Sequence, residues 1–276
     1  MTSSQILIDA FKKEKSMKYD GGIYKKTQID LAYNSNHIEG SHLSKDHTRE
    51  LFQTKSIIAR NNEQIFSDDI ICANNHFRAF DYVIEHCQEP LTERWIKEIH
   101  KILMTATSAE NNGFPIGEYK SQENIVGDME TVLPGMVPEA MKKLISEYHK
   151  KSSVALADIV KFHHAFESIH PFQDGNGRTG RLILFKECLC HNLVPLIIED
   201  KNKAFYYRGL QEFTREPGYL LETCGLEQDV YTLICCQLVR GYKDALRAEN
   251  QLPSQIARIL EKREIHRDES VFSREG

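Results

Sequence analysis

The apolar residues of this chain recur at three- and four-residue spacing in one stretch after another, and that spacing commits most of it to helices. Phe80, Val83, Ile84 and Cys87 form one such stripe, Trp95, Ile96, Ile99 and Leu103 a second, and Val230, Leu233, Ile234 and Leu238 a third. Only 8 prolines and 15 glycines punctuate 276 residues, so the helices run with few breaks. Thr92, placed before Glu93, reads as the N-cap of the second stripe. No internal repeat and no low-complexity linker interrupts the pattern. The one clear strand signal lies in Gly117 to Leu133, where Asn124-Ile125-Val126, Gly127-Asp128 and Thr131-Val132-Leu133 predict a short hairpin around a turn. A second apolar run, Val194 to Ile198, is ambiguous between strand and helix. The tail after Pro253 carries many charges and few apolar residues, Glu261 to Glu275 above all, and reads as a solvated helix or a frayed end.

Composition bounds the function without naming it. Hydrophobic residues make up 41% and charged residues 27%, the proportions of a chain that folds around a core. A mean hydropathy of -0.46 and the lack of a long apolar run argue against a membrane span. The stretch from Met1 to Lys15 becomes charged too early for a signal peptide. Seven cysteines, an odd number, sit mostly inside apolar stripes (Cys72, Cys87, Cys188, Cys190, Cys235, Cys236), the pattern of reduced thiols in a cytoplasmic protein. A net charge of -5 argues against nucleic acid as the main partner.

The chemistry is concentrated between Asp158 and Cys190. Ile159, Val160, His163, Phe166 and Ile169 share one side of a helix that Pro171 must stop, because the residue before a proline disfavours helical geometry. A loop follows, His170-Pro-Phe172-Gln-Asp174-Gly175-Asn176-Gly177-Arg178, and then a helix that is apolar nearly all round. A glycine-rich loop feeding a helix N-terminus is an anion site, since free N–H groups converge there and the helix dipole is positive. Gly175, Gly177 and Gly180 also match the G-x-G-x-x-G dinucleotide fingerprint, but that motif requires a buried strand before it, and here a helix comes first. A nucleoside triphosphate explains the polar residues better. Arg178 and Arg181 lie within a turn of each other and can grip phosphate oxygens. Asp174 offers a hard oxygen ligand of the kind Mg²⁺ prefers, and His170 can accept a proton near neutral pH.

His170 through Arg181 resembles the HxFx(D/E)GNGRxxR signature of the Fic family, whose members typically transfer AMP from ATP to a protein hydroxyl. The resemblance implies an all-α Fic-type helical bundle with a small β-hairpin flap, residues 1–90 forming an N-terminal helical region, 91–215 the catalytic core and 216–276 C-terminal helices with a charged tail. It implies His170 as the base, Asp174 as the Mg²⁺ ligand, and Gly175, Asn176, Gly177, Arg178 and Arg181 as the ATP-binding residues. Phe172 reads as a hydrophobic anchor for the loop. In the Doc-like branch, which transfers phosphate, the Gly-Asn-Gly stretch is typically Ala-Asn-Lys, so Gly177 favours AMP as the cargo. Tyr206 and Tyr207 fall where relatives line the adenine pocket, although two tyrosines packing on a helix fit the spacing equally; an asparagine that some relatives carry shortly afterwards is replaced by Thr214. Upstream, Ser35-Asn-His-Ile-Glu39-Gly40 resembles the (S/T)xxxE(G/N) inhibitory motif of Fic proteins with an N-terminal regulatory helix, implying that Glu39 pairs with Arg181 and spoils ATP binding.

The activity that the resemblance implies is autoinhibited AMP transfer to a Ser, Thr or Tyr of a protein, with AMP removal by the same site also open. A nucleotide-binding regulatory module without transferase activity, or transfer of another nucleotide such as UMP, stand as alternatives. Protein substrates, the chain itself among them, are the partners expected; nucleic acid and membrane are not, and homo-oligomer formation is left open. His163 and His164 read as helix-face histidines, His100 as a core or interhelix histidine, and Cys188-Leu-Cys190-His191 as core thiols beside a histidine rather than half a zinc site.

Overall fold

The computed structural model describes residues 1–59, 63–126 and 129–261. Its helices are α1 (Ser3–Met17), α2 (Ile23–Ile38), α3 (Lys45–Thr54), α4 (Ser67–His86), α5 (Glu93–Met104), α6 (Ser108–Asn111), α7 (Val137–His149), α8 (Leu156–Ile169), α9 (Asn176–Cys190), α10 (Lys203–Glu212), α11 (Gly218–Leu238) and α12 (Tyr242–Ala248). Residues 254–261 are helical as well. The charged tail beyond residue 261 lies outside the described residues.

The bundle is built around α9, which packs against α1, α2, α4, α5 and α8. Every residue of α9 except Gly177 and Cys190 is buried. Such a helix must be apolar on all sides or satisfy its polar groups internally, and α9 does both. Phe185 sits among aromatic rings, 5.5 Å from Phe80, 5.7 Å from Tyr231 and 6.5 Å from Phe11 between centroids. Beside it, the ammonium of fully buried Lys186 donates to the Glu187 carboxylate (2.6 Å) and to the Glu89 carbonyl, while the Tyr148 hydroxyl donates to the other Glu187 oxygen at 2.8 Å. A buried charge is tolerable only when paired in this way. Replacing Phe185 with alanine is expected to cost about 3–5 kcal/mol, because a fully buried ring leaves a cavity that its neighbours cannot refill. Urea denaturation checks this; a loss below about 1 kcal/mol would place the core elsewhere.

Helix ends follow local chemistry. The Thr92 hydroxyl accepts the Trp95 N–H at 3.1 Å, as an N-cap should. The Asp158 carboxylate accepts the Ala155 N–H at the start of α8 (3.0 Å). Pro171 ends α8, and His170 leaves it in the left-handed region with φ 51°, a conformation that costs a non-glycine residue energy and is held only where the surroundings enforce it.

Within the Gly117 to Leu133 segment, β1 (Ile125–Val126) and β2 (Met129–Glu130) pair antiparallel, Ile125 opposite Glu130 and Val126 opposite Met129. Gly127 and Asp128, the expected turn, lie outside the described residues. Two residues paired with two make a local turn and not a layer, so the architecture is helical throughout. Val194 to Ile198 takes no regular structure, though Val194, Leu196, Ile197 and Ile198 are all buried. The Gln228 side chain satisfies the Val194 carbonyl there at 2.6 Å. All seven cysteines are free thiols. Among the described residues, no helix is long and apolar enough to cross a membrane.

Candidate active site

The loop between α8 and α9 owes its shape to side chains that close on its backbone. Asn176 clamps Phe172 from both sides: its carbonyl oxygen accepts the Phe172 N–H (2.9 Å) and its amide donates to the Phe172 carbonyl (2.8 Å). The Phe172 ring is fully buried and stacks on His100, with centroids 3.7 Å apart and planes 6° from parallel. His100 is itself held by two bonds. Its Nδ1 accepts the Gly117 N–H at 2.9 Å, so the proton sits on Nε2, which donates to the Asp174 carbonyl at 2.9 Å. Burial pushes its pKa down to about 4, which keeps the ring neutral and this tautomer fixed. Gly175, with φ 78°, turns the chain into α9, and a Cβ there would lie 2.5 Å from the Met104 sulfur; only glycine fits.

His170 stands at the mouth of this loop. Its Nδ1 faces the Glu167 carbonyl at 3.3 Å, which assigns the proton to Nδ1 and leaves Nε2 as the free acceptor. Burial lowers its pKa below the ordinary 6.5, with the nearby Lys120 ammonium acting in the same direction against the Glu167 carbonyl. The imidazole is therefore a neutral base at physiological pH. Lys120, also buried, is tied to Asn124 and Thr131 at 2.6 Å each.

At the N-terminus of α9 the cations are already engaged. Arg181 is almost fully buried. Its Nε donates to the Ser35 hydroxyl (3.1 Å), and its Nη2 donates to the Ser35 carbonyl (2.8 Å) and to the Glu39 carboxylate (2.7 Å). Glu39 also lies over the loop, because a Cβ on Gly177 would come within 2.2 Å of its Oε1. A carboxylate thus occupies the place where the first turn of α9 receives an anion. Burial alone would raise the Glu39 pKa, but the Arg181 guanidinium, with Arg178 behind it, holds it below the ordinary 4.5. The group is an anion throughout the neutral range, and its attraction to Arg181 is lost only as pH falls through that lowered value. Arg178 donates to the Cys72 sulfur at 3.2 Å and faces the Asp174 carboxylate at 3.4 Å.

The structure thus gathers His170, Asp174, the Gly175–Gly177 turn, Arg178, Arg181, Ser35 and Glu39 in one place. It sets the two tyrosines differently from each other. Tyr206 is buried, shares a 2.7 Å hydrogen bond with His163, and carries the Arg181 guanidinium 6.0 Å from its ring centre. Tyr207 is exposed and donates its hydroxyl to the Ile38 carbonyl at 3.1 Å, tying α10 to the end of α2. Glu167 lies behind Arg181, and burial raises its pKa to about 8, so it is mostly neutral at pH 7. His100, Cys72, Lys120, His163 and Glu167 also shape the site; the burial of Cys72, His100 and His163 is anticipated by their places in apolar stripes, while no local sequence signal marks Lys120 or Glu167.

Among the described residues no three His, Cys, Asp or Glu side chains gather as a metal cage. Asp174 offers one half-exposed carboxylate. That donor set fits Mg²⁺, which is commonly held by one or two carboxylates together with substrate phosphates.

Residues 90–187 match the family model described as Fic/DOC family. Among curated proteins, protein adenylyltransferase Fic of Aedes aegypti is 27% identical over 192 residues, covering 68% of this chain and 37% of that protein. Protein adenylyltransferase fic-1 of Caenorhabditis elegans is 25% identical over 195 residues, covering 67% and 36%. The chain therefore spans little more than a third of the length of these relatives. Among solved structures, a Fic domain containing signaling protein from Bacteroides thetaiotaomicron aligns with a TM-score of 0.64 at 22% identity, over 90% of this chain and 96% of that one. Fic-1 from C. elegans aligns with a TM-score of 0.57 at 16% identity, over 91% and 74%. At such identities the structural likeness speaks to the fold.

Proposed function

This chain is a Fic family protein, and we propose that it transfers AMP from ATP to a Ser, Thr or Tyr hydroxyl of a protein, under the restraint of its own Glu39. The observation that carries this reading is the Glu39 carboxylate seated over Gly177 and bonded to Arg181. A carboxylate in that position marks an anion site that is built and held shut.

In the open site, Nε2 of His170 takes the proton of the target hydroxyl as its oxygen attacks the α-phosphorus. The bond from that phosphorus to the bridging oxygen of the β-phosphate breaks, and pyrophosphate leaves. The N–H groups around Gly175, Asn176 and Gly177 stabilise the charge that develops on the transferring group. Arg178 and Arg181 hold the terminal phosphates. Asp174 would hold Mg²⁺, which neutralises phosphate charge when bound. The segment around β1 and β2 would act as a flap, offering backbone to a target segment as an added strand.

The His170 environment supplies a test. With Glu39 replaced by glycine, kcat/KM for AMP transfer is expected to rise with pH and level off, because only the neutral imidazole can take the proton. The midpoint should fall below 6.5, since burial lowers the pKa. A midpoint at or above 6.5 would contradict the assignment of the base. Mass spectrometry of the product distinguishes the cargo: the mass of an AMP residue on a hydroxyl side chain is expected, and a UMP or phosphate mass would overturn the choice of AMP.

A further inference from the structure

Between α1, α2, α3 and α4 lies a cavity of about 640 Å³, within the range of small-molecule sites. Its charge runs against that of the chain. Lys15, Lys18, Lys25, Lys55 and Arg78 line it, against two carboxylates, Asp20 and Asp81, in a protein whose net charge is -5. Two of these cations are neutralised locally, Lys15 by Asp81 and Glu85 (3.2 and 2.9 Å) and Lys25 by Asp20 (2.9 Å). Among the described residues, Lys18, Lys55 and Arg78 have no carboxylate partner. The Arg78 guanidinium donates to the side-chain oxygen of Asn75, and the Lys55 ammonium lies over two rings, 5.3 Å from the centre of Phe52 and 5.9 Å from that of Phe77.

Those rings, with Tyr24, give the cavity an apolar wall beside its cations. Helix ends account for part of the arrangement: α1 and α3 both stop at a left-handed lysine, Lys18 (φ 53°) and Lys55 (φ 60°), and a cation at a helix C-terminus is favourable. They do not account for Arg78, which comes from the middle of α4, nor for the aromatic rings beneath Lys55. Three uncompensated cations from three helices, one of them a guanidinium, suit a phosphate dianion. Flanking rings suit a flat apolar body attached to it.

We propose that this cavity is a second binding site, separate from the catalytic loop, for a small aromatic phosphate ester whose phosphate meets Lys18, Lys55 and Arg78 and whose ring lies against Phe52 and Phe77. It shares no residue with the site around His170. Its walls include α2 and α4, the helices that also carry Ser35 and Cys72.

The test is titration of the full chain with phenyl phosphate, followed calorimetrically and by backbone amide shifts in NMR, with inorganic phosphate as a parallel titrant. Shifts are expected at Lys18, Lys55 and Arg78. The double variant Lys55→Ala/Arg78→Ala is expected to weaken binding about tenfold or more, as loss of charge-assisted hydrogen bonds should. Both side chains are exposed, and an unchanged thermal melt would show that the fold is retained. Absence of binding, shifts confined to Gly175–Arg178, or unchanged affinity in the double variant would overturn the proposal. Equal affinity for inorganic phosphate would overturn the role given to the rings.

Discussion

Replacing His170 with alanine is expected to lower the rate of AMP transfer by about 10²–10⁴-fold, the usual contribution of a positioned general base. The expectation rests on the geometry of the imidazole. Nδ1 faces the Glu167 carbonyl, Nε2 is left as the acceptor, and burial keeps the ring unprotonated. His170 adopts a left-handed backbone conformation that histidine tolerates better than alanine does, so His170→Ala also lowers stability. Asparagine tolerates that conformation better and cannot act as a base near neutral pH. His170→Asn should therefore show the same loss of transfer with less change in the melting temperature. If both variants transfer AMP at the wild-type rate, another group takes the proton.

The second large effect has the opposite sign. Glu39→Gly is expected to raise transfer about ten- to a hundredfold, on the reasoning that one charge-assisted hydrogen bond is worth about 1.5–3 kcal/mol and that 1.4 kcal/mol is a factor of ten. Glycine removes both the carboxylate over Gly177 and the partner of Arg181. Glu39→Gln keeps the shape and loses the charge, so a smaller rise is expected. The cause can be isolated in a double-mutant cycle. If Glu39 acts by occupying Arg181, then Glu39→Gly should give little gain in an Arg181→Ala background. A full gain in that background would mean that Glu39 acts by blocking space rather than by pairing.

The legible parts of this protein in its sequence were those where a local pattern carries a global consequence. Pro171 marks the end of α8, the glycine-rich run marks the N-terminus of α9, and the periodic stripes mark the helices. Ser35 and Glu39 could be flagged by resemblance, but their bonds to Arg181 span more than 140 positions, and no local pattern encodes that. The clamp of His100 on the Asp174 carbonyl and the bond from Arg178 to Cys72 are of the same kind. Each is a tertiary contact between residues whose neighbours in sequence look ordinary. The burial of Lys186 and Glu187 was masked by apolar neighbours in α9, because a paired buried charge and a solvated one look alike in a sequence. Spacing placed Tyr206 and Tyr207 next to each other. Which of them turns inward to His163 and which outward to the Ile38 carbonyl depends on how α10 docks.

On this proposal the Glu39–Arg181 pair holds shut a site built to move AMP. The most direct measurement is the initial rate at which label enters protein from ATP labelled either at the α-phosphorus or at the γ-phosphorus, with wild-type and Glu39→Gly chains compared side by side. Slow incorporation from the α-label is expected for the wild type, incorporation about tenfold faster or more for the variant, and none from the γ-label for either. Incorporation from the γ-label, or α-label rates that are equal in the two proteins, would contradict the proposal.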